Sequence, residues 1–328
     1  MKIAVLGAGA WGTALAISLA RRHAVTLWAR NPAQCAAMAA ARSNERYLSG
    51  YSFPPGLNVS DDFHDAVRGS ELALIAVTTA GLRETLQQLK REQTCPPVIW
   101  LCKGFEPGHA KLPHQVCADE LGTTKRCGVL SGPSFAQEVA QGLPTAVTLA
   151  SASGDFARDA ALALHSPAFR VYSSDDLVGV EVAAAVKNVM AIAAGISDGL
   201  SYGYNARAAL ITRGLAEVTR LGVALGGRPE TFMGLAGAGD LILTCTGDLS
   251  RNRQVGLKLA RGQPLDAILV ELGHVAEGVA TARELHRIAT RLQLDMPITR
   301  AVCRVLADHR EARAAADELL QREPRAEH

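Results

Sequence analysis

The chain has 328 residues, of which 48% are hydrophobic and 20% are charged, and its formal net charge is +2. This length suggests two domains, and the balanced charge argues against a nucleic-acid-binding surface. There is no run of about 18 uninterrupted apolar residues, so we expect no membrane span. The seven cysteines form no C-x-x-C pair and the nine histidines show no metal-ligand spacing, which predicts free thiols in a reducing cytoplasm and no bound metal.

The first predicted elements form a βαβ unit around a glycine-rich motif. Apolar residues 2–6 predict a strand that begins almost at the first residue, so no signal peptide is expected. Residues 7–12 read Gly-Ala-Gly-Ala-Trp-Gly, the G-x-G-x-x-G pattern of dinucleotide-binding proteins. A helix over residues 13–22 and a strand over residues 25–29 complete the unit. We therefore predict a nucleotide site here rather than a purely structural turn.

Each glycine of this motif has its own role. Gly7 permits the tight turn, Gly9 lets the backbone approach a pyrophosphate, and Gly12 lets the helix pack closely against the strand. The second strand ends without the Asp or Glu that usually binds the ribose 2′-OH of NAD, and Arg30 follows it instead. Because a guanidinium binds a 2′-phosphate well, we predict a preference for NADP(H), with NAD(H) as the alternative cofactor. A solvated surface arginine is the alternative interpretation of Arg30.

The two halves of the chain have different patterns. Strands and helices alternate in the first half, with further strands at 72–77, 98–102, 128–131 and 146–150 and helices at 81–91 and 109–121. From Gly179 onward only helical patterns occur, at 181–196, 206–225, 252–261, 264–272, 280–291 and 298–309. We predict an α/β Rossmann-type doubly wound parallel sheet followed by an all-α domain. The dinucleotide-binding domain is assigned to residues 1–178 and the helical substrate domain to residues 179–328, with a frayed tail from 321.

Polar residues follow three predicted strands of the first domain. Residues 77–79 end one strand, Lys103 and Gly104 end the next, and residues 131–135 end the one after. Ligands of open α/β sheets bind beyond the carboxyl ends of the strands, so these residues should converge near the nicotinamide. A lysine in a loop is often only solvated, and the spacing alone leaves both interpretations of Lys103 open.

Lys187 is an anomaly in the helical half, because its segment is otherwise almost wholly apolar. Its neighbours three and four positions away are mostly small, which leaves space for a ligand above the amine. Apolar surroundings lower the pKa of a lysine toward neutrality, which suits general acid–base catalysis. The alternative is a lysine whose stem covers the helix while its amine reaches water.

Two further segments of the helical half carry polar residues. The glycines of residues 234–239 have no strand before them, so they are better explained as placing Asp240 than as a second nucleotide motif. Ser250 is a candidate cap for a helix that begins at Arg251. A capped helix start beside Arg251 and Asn252 is a natural phosphate site, although an exposed basic helix start is equally common.

Taken together, these segments resemble the bacterial NAD(P)-dependent glycerol-3-phosphate dehydrogenases. Cys102 is one small departure, since threonine is expected before the Lys-Gly pair. The matching strings cover nearly the whole chain in order: GAGAWGTALA (7–16), KGFE (103–106), SGPSFAQEVA (131–140), VKNVMAIAAGISDGL (186–200), AALITRGLAE (208–217), GLAGAGDLILTC (234–245), SRNRQVG (250–256) and VAEG (275–278).

The resemblance implies reversible hydride transfer between NAD(P)H and dihydroxyacetone phosphate, which supplies sn-glycerol 3-phosphate for glycerophospholipid synthesis. It implies a cytoplasmic homodimer in which Lys187 is the proton donor and acceptor. The implied substrate contacts are Lys103, Gly132, Ser134, Lys187, Asp240, Ser250, Arg251 and Asn252. The cofactor contacts, including the motif glycines, are Gly7, Gly9, Ala10, Trp11, Gly12, Arg30, Lys103, Ala136, Arg251, Val275 and Glu277.

Two other functions share parts of this pattern. A 3-hydroxyacid or 6-phosphogluconate type of dehydrogenase has the same domain plan and also uses a lysine on a helix, and substrate assays separate it from the first interpretation. A dinucleotide-sensing regulatory protein would need neither a buried lysine nor a second phosphate site. Lys187 and residues 250–252 therefore count against it.

Overall fold

The computed structural model describes residues 1–93, 95–273, 276–308 and 310–323. The chain divides into two compact units. Unit 1 comprises Met1–Glu106 and Lys111–Glu181, and unit 2 comprises Pro107–Ala110 and Val182–His328. The domain boundary after residue 178 stays a prediction. The short segment Pro107–Ala110, which groups with the second unit, was not anticipated.

Unit 1 is built on a largely parallel eight-stranded sheet, beside a separate pair of strands. The strands are β1 (Lys2–Leu6), β2 (Ala24–Trp28), β3 (Ser43–Asn44), β4 (Leu48–Ser52), β5 (Leu57–Ser60), β6 (Leu72–Ile75), β7 (Val98–Trp100), β8 (Cys127–Ser131), β9 (Thr145–Ala150) and β10 (Phe169–Ser174). The order in the large sheet is β10-β9-β8-β7-β6-β1-β2-β5, and β3 pairs with β4. Strands β6 and β7 are wholly apolar, and Ile3, Leu27 and Leu74 are fully buried, as expected for a sheet covered on both faces.

The direction of β9 corrects one expectation. The sequence predicted a parallel sheet, and β9 is the exception: it pairs antiparallel to β8, with Leu130 opposite Leu149, and β10 runs parallel to β9. Hydrophobic patterning locates a strand but does not encode its direction, which is why this reversal was not predicted. The six neighbouring strands β5, β2, β1, β6, β7 and β8 pair parallel to one another. The carboxyl ends of β2, β1, β6, β7 and β8 therefore lie at one edge of the sheet.

The helices of unit 1 connect these strands, and α8 continues from unit 1 into unit 2. They are α1 (Ala10–Leu19), α2 (Pro32–Ala41), α3 (Phe63–Val67), α4 (Thr79–Arg91), α5 (Pro113–Leu121), α6 (Ala136–Gln141), α7 (Gly154–Leu164) and α8 (Leu177–Gly199). Helix α1 begins three residues before its predicted start, because its N-cap is Gly9, which lacks the capping side chain that usually marks a helix start. Helix α5 begins at Pro113, four residues after its predicted start at His109.

Unit 2 consists of helices and the turns that connect them, with no strand among its described residues. After α8 come α9 (Gly203–Ala224), α10 (Pro229–Phe232), a π-helical turn (Leu235–Gly239), α11 (Asp240–Thr246), α12 (Arg251–Ala260), α13 (Leu265–Leu272), α14 (Glu277–Arg291), α15 (Pro297–Ala307) and α16 (Ala312–Leu320). A Cβ at Gly195 of α8 would lie 2.1 Å from the carbonyl oxygen of Arg253, and one at Gly256 would lie 2.1 Å from that of Ile192. The backbones of α8 and α12 therefore touch at these glycines.

Helix α8 is long and apolar enough to span a membrane by length and composition, with a mean hydropathy of 1.7 over 18 residues. However, 94% of that window is buried inside the protein. Such burial is what the central helix of a folded domain shows, and it explains why the segment around Lys187 is so apolar. The expectation of no membrane span stays a prediction.

Candidate active site

The glycine-rich turn of unit 1 is tight at two of its three glycines and open at the third. Gly7 has φ +121°, and a Cβ there would lie 2.8 Å from the carbonyl carbon of Ala76. A Cβ at Gly12 would lie 2.1 Å from the carbonyl oxygen of Gly7, so the helix packs directly on the turn. A Cβ at Gly9 would meet nothing within 4 Å. The turn is therefore closed at Gly7 and Gly12 and open at Gly9, where a ligand would approach.

The N-terminus of α1 follows this turn and carries two predicted cofactor contacts, Ala10 and Trp11. Gly9 has no side chain that could cap the helix, so the N–H groups of the first turn donate no hydrogen bond to a capping side chain. The indole Nε1 of Trp11 is buried without a hydrogen-bond partner among the described residues. Buried donors are rarely left unpaired, so both features fit a group bound at this helix start.

Arg30 lies just beyond β2, as predicted, and its side chain is 81% exposed. One of its guanidinium nitrogens is 4.0 Å from a carboxylate oxygen of Glu84 on α4. The sequence pattern missed this acid, because Glu84 is remote from the second strand in the chain. Asn31, the next residue, caps α2 by accepting a hydrogen bond from the Gln34 amide.

The ends of β7 and β8 bring three predicted site residues together. The Lys103 ammonium lies 3.5 Å from the carbonyl oxygen of Gly132, and the Ser134 hydroxyl donates to the same oxygen at 2.9 Å. Gly132 has φ +148°, and a Cβ there would lie 2.9 Å from the Cα of Val147. Only glycine fits this position, so the chain turns there with its carbonyl facing both donors. Ala136 lies close by in the chain, as the first residue of α6.

Lys187 in unit 2 is buried, with 6% of its surface exposed. Its ammonium donates to the Asp240 carboxylate at 2.5 Å and to the Thr244 hydroxyl at 3.0 Å. Thr244 in turn donates to the carbonyl oxygen of Asp240 at 2.6 Å. The amine is therefore charge-balanced and directed, and does not lie in a purely apolar pocket as its sequence neighbours suggested. Sequence reasoning missed Thr244, although it lies one helical turn after Asp240, on the same face of α11.

Asp240 owes its position to the segment before it. Residues Leu235–Gly239 form a π-helical turn that runs directly into α11, with Asp240 as the first residue of that helix. Turns of this kind are rare and are often found at functional sites. The carboxylate is 1% exposed, and its position at a helix start favours a negative charge.

The start of α12 contains the predicted phosphate-binding segment. The Ser250 hydroxyl accepts a hydrogen bond from the Arg253 amide at 3.3 Å, which makes it the N-cap that the sequence predicted. Arg251 is exposed, and no ion pair of its guanidinium occurs with the described residues. Arg253 is buried and donates two hydrogen bonds to Asp198, at 2.9 and 2.7 Å. The two arginines therefore differ in role, which their shared motif does not reveal.

Asn252 connects three helices of unit 2. Its side-chain amide donates to the Asn188 carboxamide oxygen at 3.0 Å, and its own oxygen accepts from the Gly278 amide at 3.1 Å. The start of α12 is thereby held beside the residue that follows Lys187 and beside Glu277, the first residue of α14. Sequence reasoning assigned Asn252 only to the ligand and missed this connecting role. Val275, a predicted cofactor contact, lies outside the described residues.

No group of three or more His, Cys, Asp or Glu side chains among the described residues is arranged to hold a metal ion. All seven cysteines are free thiols.

Two family models cover most of the chain. The model for the N-terminus of NAD-dependent glycerol-3-phosphate dehydrogenase matches residues 2–157, and the model for its C-terminus matches residues 176–317. The chain is 61% identical over 327 residues to the glycerol-3-phosphate dehydrogenase [NAD(P)+] of Thiobacillus denitrificans, covering all of both chains. It is 58% identical over 328 residues to the enzyme of that name from Aromatoleum aromaticum, again covering all of both.

A solved structure agrees with this result. The crystal structure of glycerol-3-phosphate dehydrogenase from Coxiella burnetii matches with a TM-score of 0.94 and 43% identity, covering 98% of this chain and 99% of that one. The predicted α/β fold with a following helical domain is confirmed by this similarity, as is the predicted enzyme class. The chain belongs to the family of NAD(P)-dependent glycerol-3-phosphate dehydrogenases, which are oxidoreductases.

Proposed function

We propose that this chain reduces dihydroxyacetone phosphate reversibly to sn-glycerol 3-phosphate, with Lys187 as the proton donor and acceptor. The observation that carries this proposal is the buried contact between Lys187 and Asp240, at 2.5 Å. A charge pair buried to this degree is costly to keep unless it has a purpose. It lies beside the start of α12, where Ser250 and Arg251 offer donors to a phosphate.

Lys187 has a defined chemical role in this reaction. Negative charge develops on the substrate carbonyl oxygen as the carbon is reduced, and a buried ammonium both stabilises that charge and donates a proton to it. Asp240 balances the charge of the ammonium, and Thr244 fixes its direction through two hydrogen bonds. Burial raises the pKa of Cys245, the next residue, to about 12, so this thiol stays neutral and does not compete as an acid or base.

The residues of unit 1 fit a nicotinamide dinucleotide. The open position at Gly9, the uncapped start of α1 and the unpartnered Trp11 indole provide donors and space for a pyrophosphate. When bound, the cofactor supplies the hydride for the carbonyl carbon. We propose that Ala10, Trp11 and Ala136 line its site and that Arg30 favours NADPH over NADH through the 2′-phosphate. Glu277 of unit 2 is proposed as a further cofactor contact on the resemblance alone.

The substrate contacts divide by chemistry. We propose that Lys103 adds positive charge near the reacting oxygen and that Gly132 and Ser134, which meet it at the end of β8, shape that side of the site. Ser250, Arg251 and Asn252 would receive the phosphate at the start of α12, since a helix N-terminus favours an anion. The exposed guanidinium of Arg251 suits this role better than that of Arg253, which is held by Asp198.

The cellular setting follows from the sequence resemblance. We infer a homodimer in the cytoplasm, without a membrane span, that supplies glycerol 3-phosphate for glycerophospholipid synthesis. Its partners in this proposal are small molecules only.

The test measures the oxidation of NADPH and of NADH with dihydroxyacetone phosphate as the substrate. In the reverse direction, it measures the reduction of the oxidised cofactors with a 3-hydroxyacid and with 6-phosphogluconate. Turnover with dihydroxyacetone phosphate and none with the other two substrates is the expected result. Turnover with either of the other substrates at a comparable kcat/KM would assign the chain a different substrate class.

A further inference from the structure

The segment between β7 and α5 has an unusual pattern of burial. Residues 101–106 contain no helix or strand, yet Leu101, Phe105 and Glu106 are all buried, at 3%, 2% and 7% exposure. Only Lys103 in this stretch is partly exposed. The backbone of Lys103 is therefore not held by a strand ladder at its own position, and its location depends on the side chains that anchor the segment around it.

Glu106 is the charged anchor of this segment. Its two carboxylate oxygens accept from the Nε and one Nη of Arg83, at 2.6 and 2.9 Å. A buried carboxylate requires such a partner, and a planar guanidinium provides both hydrogen bonds in a fixed geometry. The Glu106 amide also donates to the carbonyl oxygen of Lys111 at 2.8 Å, which closes the loop that follows.

Arg83 is itself held firmly. It belongs to α4, and its Nη atoms also donate to Glu120 at 2.5 Å and to Asp119 at 3.0 Å, both on α5. Three carboxylates raise the pKa of Arg83 far above its usual range, chiefly through the Glu106 hydrogen bonds. This guanidinium thus connects α4, α5 and the segment that carries Lys103.

We propose that Arg83 is a positioning residue that acts through Glu106 to hold Lys103 in place for the reaction. The inference rests on the proposed function, in which Lys103 stabilises charge on the reacting oxygen. The Lys103 ammonium lies 3.5 Å from the carbonyl oxygen of Gly132, so a shift of the segment that carries Lys103 would move the ammonium relative to the end of β8. A charged group must be held to about half an ångström to be effective, and the Arg83–Glu106 pair supplies that restraint.

Two variants test this role. Arg83→Lys keeps the charge but loses the two-pronged contact, and Glu106→Gln keeps the shape while removing the buried charge. We expect each to lower kcat about 10–100-fold, because misplacement of about 1 Å is enough for such a loss. The NADPH dissociation constant should change less than about twofold, since neither residue belongs to the glycine-rich turn. Asp119→Asn is the matched control: it removes the more exposed partner of the same Arg83, and its kcat should stay near that of the wild type.

The decisive experiment introduces Arg83→Lys into the Lys103→Ala variant and measures the residual kcat. If Arg83 acts through Lys103, Arg83→Lys should lower the residual kcat of that variant by less than about twofold. An equal loss in both backgrounds, or no loss of kcat in Arg83→Lys and Glu106→Gln, would overturn the inference while the function of Lys103 stands. Unimpaired turnover of Lys103→Ala itself would refute the role of Lys103 and this inference with it. If Arg83→Lys fails to fold, Glu106→Gln decides, because Arg83 keeps its two partners on α5.

Discussion

At the scale of single residues, Lys187 shows which features of the site can be predicted from the sequence and which cannot. Its apolar neighbours on α8 were visible as a pattern and correctly marked the amine as unusual. The pattern of α8 does not show its polar partners, because Asp240 and Thr244 lie 53 and 57 residues further along the chain, although Asp240 was predicted to orient and charge-balance the lysines. Periodicity reports the neighbours along one helix and carries no information about which other helix packs against it. The resemblance to a family named Asp240, and Thr244 emerged only from the fold.

Lys187→Ala should lower kcat by about 10²–10⁴-fold, the usual cost of losing a general acid. Steady-state assays with dihydroxyacetone phosphate would measure this loss. NADPH binding, followed by fluorescence, should be retained. Near-normal turnover in the folded variant would contradict the assignment of Lys187.

Arg30→Ala should raise the KM for NADPH about tenfold or more while leaving that for NADH nearly unchanged. A charge-assisted contact with a phosphate contributes about 1.5–3 kcal/mol, which corresponds to at least this factor. Glu84→Gln is a useful companion, because it removes the acid 4.0 Å from Arg30 and should strengthen NADPH binding. Equal effects of Arg30→Ala on both cofactors would mean that the guanidinium does not distinguish them.

At the scale of elements, the strongly patterned helices of unit 2 were located well, and their ends less well. Predicted starts at Glu181 and Ala280 became Leu177 and Glu277, whereas the Ser250 cap gave the start of α12 within one residue. A capping side chain marks a boundary in the sequence, and a helix without one has no such signal. β10 and α16 were missed although they are at least as long as β9 and α13, which were predicted; β10 reads Phe-Arg-Val-Tyr-Ser-Ser, and only two of these six residues are buried.

The start of α12 allows a paired test of its two arginines. Arg251→Lys should lower kcat/KM with dihydroxyacetone phosphate far more than with unphosphorylated dihydroxyacetone, because only the former has the anion that the guanidinium binds. Its melting temperature should hardly change, since the side chain is exposed. Arg253→Lys should instead lower the melting temperature, because it breaks the buried contact with Asp198. The same fractional loss of activity on both substrates for Arg251→Lys would argue against a phosphate contact.

The junction between α5 and α8 predicts a dependence of stability on pH. His114 contacts the buried Glu181 carboxylate through both its ring and its backbone amide. Burial alone would lower the pKa of His114, but the hydrogen bond to Glu181 and its charge raise it overall, and burial raises the pKa of Glu181. Both groups thus bind protons more tightly in the folded chain. The stability that they add is present below their ordinary pKa values and is lost as pH rises through the raised ones.

This dependence can be measured with the intrinsic fluorescence of unit 1, since Trp11, Trp28 and Trp100 are the chain's three tryptophans and all lie in that unit. The urea midpoint of the wild type should fall as the pH rises above 6.5, the ordinary pKa of histidine, because the pKa of His114 is raised in the folded chain. The fall should be smaller in His114→Asn, which lacks the titrating ring. Identical pH profiles for the two proteins would exclude His114 as the source.

At the scale of the whole molecule, the fold class and the family were both predictable from the sequence. The glycine-rich motif, the change from alternating to helical patterns near residue 179 and the ordered strings of the resemblance all point to one architecture. The reversal of β9 and the transfer of Pro107–Ala110 to unit 2 were not predictable. They depend on tertiary contacts that local patterns do not record.

The oligomeric state is a prediction at this scale. Light scattering should give twice the mass of one 34.6 kDa chain for the purified protein. The measured mass should not depend on NADPH, since dimerisation is predicted for the protein itself. A single-chain mass at micromolar concentration would contradict the homodimer.

The segment Pro107–Ala110 has a consequence for how such chains can be recombined. The Gly108 amide donates to the buried Glu284 carboxylate at 2.9 Å, and Arg287 donates to the Gly108 carbonyl oxygen at 3.3 Å, all within unit 2. A crossover at residue 181 that imports the nucleotide-binding half of another dehydrogenase would also import a foreign loop at this position. Glu284 would then keep this hydrogen bond only if the foreign loop brought a backbone N–H to the same place. Chimaeras should therefore fold better when residues 107–110 of this chain are kept with its C-terminal half, so that the exchangeable module is discontinuous in sequence.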